Sequence, residues 1–252
     1  MPDHAGEYFL PEGVFMCVAG ASLVFLDLRT DRYIGLTPEL TLPLLARMPL
    51  NSDHQAVAVI RRLNQTSGKA TAEECGAVVA DLLRNGILTP DATKAGPHPP
   101  TAAPMPSRDL SGYDLGRKHH MGLRHLAQFL CACSIAFFKV RFRTTEQLVR
   151  SVRRRKQQQL QGSSANNCSH EKIKDLVEIF KILRPLFFTA KDHCLFDSLA
   201  LIEFLARYKI YPTWVFGVHM GPFQAHCWVQ DEKVIYNEDI DKAHFFTPIM
   251  TV

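Results

Sequence analysis

The chain has 252 residues, 46% of them apolar and 21% charged, which is enough for a packed core and excludes wholesale disorder. Seven cysteines without a CxxC pair argue against a disulfide framework or a zinc ribbon, and for a reducing cytoplasm. The net charge of +4 is uneven: residues 117–156 carry 11 Lys or Arg against Glu146 alone, while 1–96 and 171–252 are mildly acidic. Such a block suits nucleic acid, an acidic protein surface or a membrane face, or is a solvated helix face. No run of 18 uninterrupted apolar residues occurs, so no transmembrane segment is expected. Met1–Leu10 has no basic stretch before an apolar run and does not read as a secretory signal.

Three short strands are expected at Val14–Val18, Leu23–Asp27 and Arg32–Leu36, separated by turns at Gly20 and at Thr30-Asp31. Thr37-Pro38 marks a helix start, with proline at the first helical position. A second helix is expected at His54–Asn64. A third is expected at Thr71–Arg84, opened by the capping box Thr71 and Glu74 and closed by Asn85-Gly86. Three strands and three helices in so short a span form a winged-helix-like layout. Residues 91–106 hold many prolines among small residues and read as a semi-rigid linker between a domain at 1–90 and another at 107–252.

Gly122–Phe142 is apolar at most positions and is expected to be a buried helix. Glu146–Gln161 follows as a helix exposing Arg150, Arg153, Arg154 and Lys156, and charge reversal at Arg153, Arg154 and Arg155 is expected to spare the fold. Glu171–Leu183 has helical apolar spacing up to Pro185, and His193–Arg207 is another amphipathic helix. Strands are expected at Thr213–Val218, Ala225–Gln230 and Lys233–Asn237, completing an α+β chain.

The chemistry-bearing residues fall in the last 60 positions. Cys194 opens a helix, where the positive helix end and free N–H groups favour a thiolate. His226 lies in the strand QAHCWVQ, and imidazole is the usual partner that takes a thiol proton and returns it to a leaving amine. Glu238 and Asp239 follow the next strand and suit the other ring nitrogen. By strand alternation Cys227 is expected on the opposite face from His226, with no part in the chemistry. Cys131-Ala132-Cys133 within an apolar helix has the wrong geometry for a metal, and no metal or cofactor site is expected. No glycine-rich phosphate loop occurs.

The stretches HCLFDSLAL, VFGVHMGPFQAHCWVQ and VIYNED resemble the transglutaminase-like cysteine peptidases that remove leaders from lasso-peptide precursors, often called B proteins. The resemblance covers 185–252 and implies a papain/transglutaminase-like domain with Cys194, His226 and a carboxylate as its catalytic residues. The family's usual Asp falls on Glu238 here, with Asp239 beside it. Residues 1–90, through DLRTDRYIGLTPE and the order of elements, resemble PqqD-like leader-recognition domains. That resemblance implies that a leader adds as a strand along Arg32, Tyr33, Ile34, Gly35 and Leu36, with its side chains against Val78 and Leu82 of the third helix. Ile34→Pro is then expected to block pairing. The resemblance also implies two partners, the precursor leader peptide and an asparagine-synthetase-like macrolactam synthetase (lasso cyclase), and 117–156 is a candidate docking face for the second. A transglutaminase-type acyl transferase and a non-enzymatic peptide- or DNA-binding protein remain as rivals. Against DNA, helix Thr71–Arg84 carries Glu73, Glu74 and Asp81 with only Arg84, whereas groove-reading helices need Arg or Lys.

Overall fold

The computed structural model describes residues 7–48, 70–96, 103–110, 121–162, 169–187 and 194–252. The chain divides into two units: Met1–Ala102 with Val218–Gln224 and Thr247–Met250, and Ala103–Gly217 with Ala225–Phe246 and Thr251–Val252.

The first unit opens on an antiparallel meander of β1 (Val14–Ala19), β2 (Ser22–Asp27) and β3 (Arg32–Gly35), in that spatial order. Ala19 pairs with Ser22 across a two-residue turn, and Gly20 supplies its left-handed φ of 62°. The second turn is held by Asp27, whose buried carboxylate accepts from Arg29 at 2.8 Å and from Thr30 at 3.1 Å. Arg29 also reaches the Gly86 carbonyl at 2.7 Å, tying the turn to the end of the last helix of this unit.

Helix α1 spans Pro38–Leu45; Thr37 stands at its N-cap but makes no side-chain cap bond. Helix α2 spans Ala72–Arg84 and is opened by the expected box: Thr71 Oγ1 accepts from the Glu74 N–H, and Glu74 Oε2 from the Thr71 N–H. The helix expected at 54–64 lies outside the described residues. The core joins Val14, Leu23 and Phe25 of the sheet to Leu44 and Leu45 of α1, Val79 and Leu82 of α2, and Ile87 and Leu88. Thr41, fully buried, accepts from the Leu23 N–H at 3.0 Å and fixes α1 on the sheet.

The described parts of 91–106 are packed rather than free. Asp91 caps a turn of 3-10 helix at Ala92–Lys94, Ala95 bridges to Pro11, and Ala103 is buried in the second unit's core. The boundary between the two units, at Ala102 and Ala103, falls inside this stretch.

Among the described residues, β4 (Arg108–Asp109) is followed by the α-helices α3 (Leu123–Phe142), α4 (Thr145–Gly162), α5 (His170–Leu183) and α6 (Cys194–Ala206). Strands β5 (Thr213–His219), β6 (Gln224–Asp231), β7 (Val234–Ile235) and β8 (Thr247–Thr251) follow, with the short helix α7 (Ile240–His244) before β8. The sheet order is β4-β7-β6-β5-β8. Helix α6 is buried at every position from Asp197 to Leu205, which is why its sequence is apolar apart from Asp197, Ser198 and Glu203, each of which is hydrogen-bonded. Phe129, Phe180 and Phe204 interlock α3, α5 and α6, with ring centroids 5.3–6.4 Å apart.

Several expectations change. The strand expected at 233–237 shortens to Val234–Ile235, so Asn237, Glu238 and Asp239 lie in the loop that enters α7. Neither α7 nor β8 was foreseen. Helix α3 is not buried: Phe129, Ala132 and Ala136 face the domain, while Leu123, Leu130, Phe137, Phe138 and Phe142 are exposed. By length and composition alone this helix is apolar enough to cross a membrane, because scattered polar residues break the uninterrupted run without lowering its mean hydropathy below 1.3. The basic face of α4 is also partly internal. Arg155 donates to both oxygens of the buried Glu203 at 2.8 and 2.9 Å, Arg153 reaches the Thr251 carbonyl, and Lys156 reaches Thr213.

Candidate active site

Cys194 is the first residue of α6, held in place by the wholly buried turns that follow it. Strand β6 brings His226 alongside, and the two side chains are hydrogen-bonded. The other side of the ring is taken: His226 Nε2 lies 2.7 Å from Glu238 Oε2, which leaves Nδ1 for the sulfur. The ring is wedged by Phe246, its centroid 5.0 Å away, and by Trp228 at 6.3 Å. Trp228 itself is buried, and its indole N–H donates to Gln230 at 2.7 Å.

Glu238 is the carboxylate at the ring; Asp239 instead stands at the N-cap of α7 and gives its backbone N–H to Glu238 Oε1 at 3.1 Å. Lys242, one turn into α7, adds a bond to Glu238 Oε2 at 2.7 Å. Burial opposes the charge on Glu238. The bonds from His226, Lys242 and the Asp239 N–H outweigh it and hold the carboxyl down at about 2.

The electrostatics favour an ion pair. Cys194 is held far below the ordinary thiol value, first by the Cys227 thiol bonded to it, then, against burial, by the bond and charge of His226 and by the Cys227 backbone N–H. Burial disfavours a charged His226 ring, yet the bonds to Cys194 and Glu238 win and raise it above its ordinary value. Thiolate and imidazolium thus stabilise each other, which lowers the thiol from its ordinary value and raises the ring from its own.

Cys227 corrects the expectation that it is a bystander. The Cys194 sulfur sits against the strand backbone, accepting from the Cys227 N–H, so side chains from both faces of the strand reach it. The Cys227 thiol is fully buried, and burial together with the neighbouring Cys194 pushes its own ionisation up.

Three further residues escaped the sequence reading. Asn237 takes the Val229 N–H on its oxygen at 2.8 Å and donates to Asp197 at 2.8 Å and Ser198 at 3.2 Å. Ser198 in turn donates to the Cys227 carbonyl at 3.2 Å. Asp197, Ser198 and Asn237 therefore lock α6, β6 and the Glu238 loop into one register. The signal was present as polar residues inside an apolar helix, at positions three and four after Cys194.

In the first unit, β3 is a sheet edge, with Arg32 and Gly35 exposed and Tyr33 and Ile34 half-buried. Leu36 and Leu82 are buried in the core, so they are scaffold rather than contact residues; Val78 is half-buried against that core. Val78 does line a shallow apolar cleft, but between α1 and α2, with Leu40, Pro43 and Cys75. The Leu36 N–H bonds to the Leu23 carbonyl, and by alternation that of Ile34 also points at β2, while those of Tyr33 and Gly35 point away. Proline at Ile34 thus damages the sheet itself, whereas the Gly35 N–H points away from β2; beside this edge the Tyr33 ring lies 5.4 Å from that of Phe223, and a Cβ at Gly35 would meet Met220 Cε at 3.1 Å.

Residues 136–251 match the transglutaminase-like superfamily. The matched stretch contains Cys194, His226 and Glu238, and it fits a cysteine peptidase or acyl-transferase activity on a cysteine-protease-like fold. No curated protein and no solved structure matches the chain.

Proposed function

We propose that this chain is a cysteine peptidase that removes the leader from a ribosomally made precursor peptide of the lasso type, using Cys194, His226 and Glu238. The observation that carries the reading is the relay from Glu238 through both ring nitrogens of His226 to a thiol held as thiolate at a helix start. In the first step the Cys194 thiolate attacks the scissile carbonyl, and the backbone N–H of Cys194 is one donor to the oxyanion. Collapse breaks the C–N bond as imidazolium protonates the leaving amine. The thioester left on Cys194 is then attacked by water, whose proton passes to His226, releasing a carboxylate and restoring the ion pair. Glu238 holds the tautomer and supports the charge on the ring.

Leader recognition is assigned to the first unit, with the leader paired to the edge of β3. The lasso cyclase is the proposed partner that uses the freed amine. An acyl transferase would run the same first step and deliver the thioester to an amine instead of water. Mass spectrometry of precursor incubated with the full chain separates the two, since hydrolysis yields leader and core fragments and transfer yields a cross-linked mass. Cys194→Ala is expected to lower cleavage by at least about 10³-fold while the protein stays folded. A folded Cys194→Ala protein that still cleaves overturns the assignment.

A further inference from the structure

We propose that the outer face of α3 is a peripheral membrane-binding surface that takes an anionic lipid bilayer. Soluble helices hide one apolar stripe and expose a polar one. This one is apolar on both sides. Its inner side, through Phe129, Ala132 and Ala136, is committed to the domain; its outer side presents Leu123, Leu130, Phe137, Phe138 and Phe142, of which Leu123 is 86% and Phe142 71% exposed. These outer positions recur at spacings of seven, seven or eight, and four or five residues, so they form one stripe along a helix about 30 Å long.

The charge around the stripe chooses the occupant. Between residues 121 and 145 the sequence has no Asp or Glu, and Arg124, Arg141 and Arg143 are all exposed. Arg141 lies over the Phe142 ring, 5.5 Å from its centroid, at the same end as Phe137 and Phe138. Aromatic side chains on a convex helix with arginines among them match the boundary between headgroups and acyl chains, where rings insert and guanidinium groups meet lipid phosphates. The stripe is a ridge and not a groove, so it suits a deformable bilayer better than a folded partner. With its inner side held by α5 and α6, α3 lies on the surface and does not span.

The test uses the full chain and sedimenting vesicles of phosphatidylcholine alone or mixed with phosphatidylglycerol. The protein is expected to partition onto the anionic vesicles at about 0.1 M salt and to be released at about 1 M. Phe137→Ser with Phe138→Ser, both at exposed positions, should lower partitioning by about tenfold or more. Arg141→Glu with Arg143→Glu should lower it on anionic vesicles by about fivefold per arginine. Circular dichroism and the thermal midpoint establish that each variant is folded. Three results overturn the proposal: no partitioning of the wild-type chain, equal partitioning onto neutral vesicles, or unchanged partitioning of the folded phenylalanine variant. A lipid-free dimer that the same phenylalanine variant dissolves also overturns it, because the stripe then belongs to a second copy.

Discussion

At the scale of single residues, the reactive group is defined by what surrounds Cys194. Two influences in opposite directions, three hydrogen bonds from Cys227 and His226 against burial, leave the thiol far below 9.0, with the Cys227 thiol the largest single influence. His226 is moved the other way, above 6.5. Activity needs the thiolate, which is lost as pH falls through the lowered Cys194 value, and the imidazolium, which is lost as pH rises through the raised His226 value. The pH dependence of kcat/KM is therefore expected to be a bell whose acid limb lies well below neutrality and whose alkaline limb lies above 6.5. Cys227→Ala removes a donor to the thiolate, so the acid limb should move toward neutral pH while the alkaline limb moves little. A Cys227→Ala profile superimposable on wild type would return that residue to plain packing. The helix start at Cys194 and the strand at His226 were legible in the sequence because both are read locally. The approach of Cys227 to Cys194 was not, since alternation places side chains on faces but says nothing of a sulfur lying against the strand backbone itself.

At the scale of elements, α4 shows how charge in a sequence differs from charge at a surface. Arg154 is exposed, whereas its neighbour Arg155 is bidentate to Glu203, a carboxylate only 4% exposed on α6 that Lys139 of α3 also holds at 2.7 Å. This cluster fastens α3 and α4 to the helix that starts with Cys194. Arg154→Glu should leave stability within about 0.5 kcal/mol. Arg155→Glu places a second negative charge against a buried one and should cost about 3 kcal/mol, with Lys139 limiting the loss. Chemical denaturation of the two single variants checks this; equal midpoints would mean that the Glu203 cluster carries no stability. Strands and helices were mostly readable in advance, because period and capping are local. The short strand Val234–Ile235 and helix α7 were not, since tertiary bonds define them: Asp109 on β4 accepts the Ile240 N–H at 2.9 Å, a pairing 131 residues apart.

At the scale of the whole molecule, the proposed leader contact and the proposed catalytic residues fall in different units, and each proposal is testable in the intact chain. The edge of β3 carries the proposed leader contact, and the N–H groups at issue are those that point away from β2. Register fixes which these are: Phe25 faces Ile34 and Val24 faces Gly35, and the Leu36 N–H already bonds to Leu23, so the outward donors belong to Tyr33 and Gly35. Gly35→Pro removes one outward donor and leaves the β2 ladder intact, provided that Met220 Cε, the flexible end of a side chain 3.1 Å from an added Cβ, shifts to admit the ring. Leader peptide titrated into full-length Cys194→Ala protein, which binds without cleaving, is expected to lose about tenfold in affinity when Gly35→Pro is added, one hydrogen bond and the local strand geometry being removed together. Ile34→Pro should weaken the same binding through loss of the sheet, with a lowered thermal midpoint that Gly35→Pro does not show. The pair of variants thus distinguishes pairing at the edge from general damage to the unit. Unchanged leader affinity in a folded Gly35→Pro protein would move recognition away from β3, and the apolar cleft lined by Leu40, Pro43, Cys75 and Val78 between α1 and α2 would be the next surface to test.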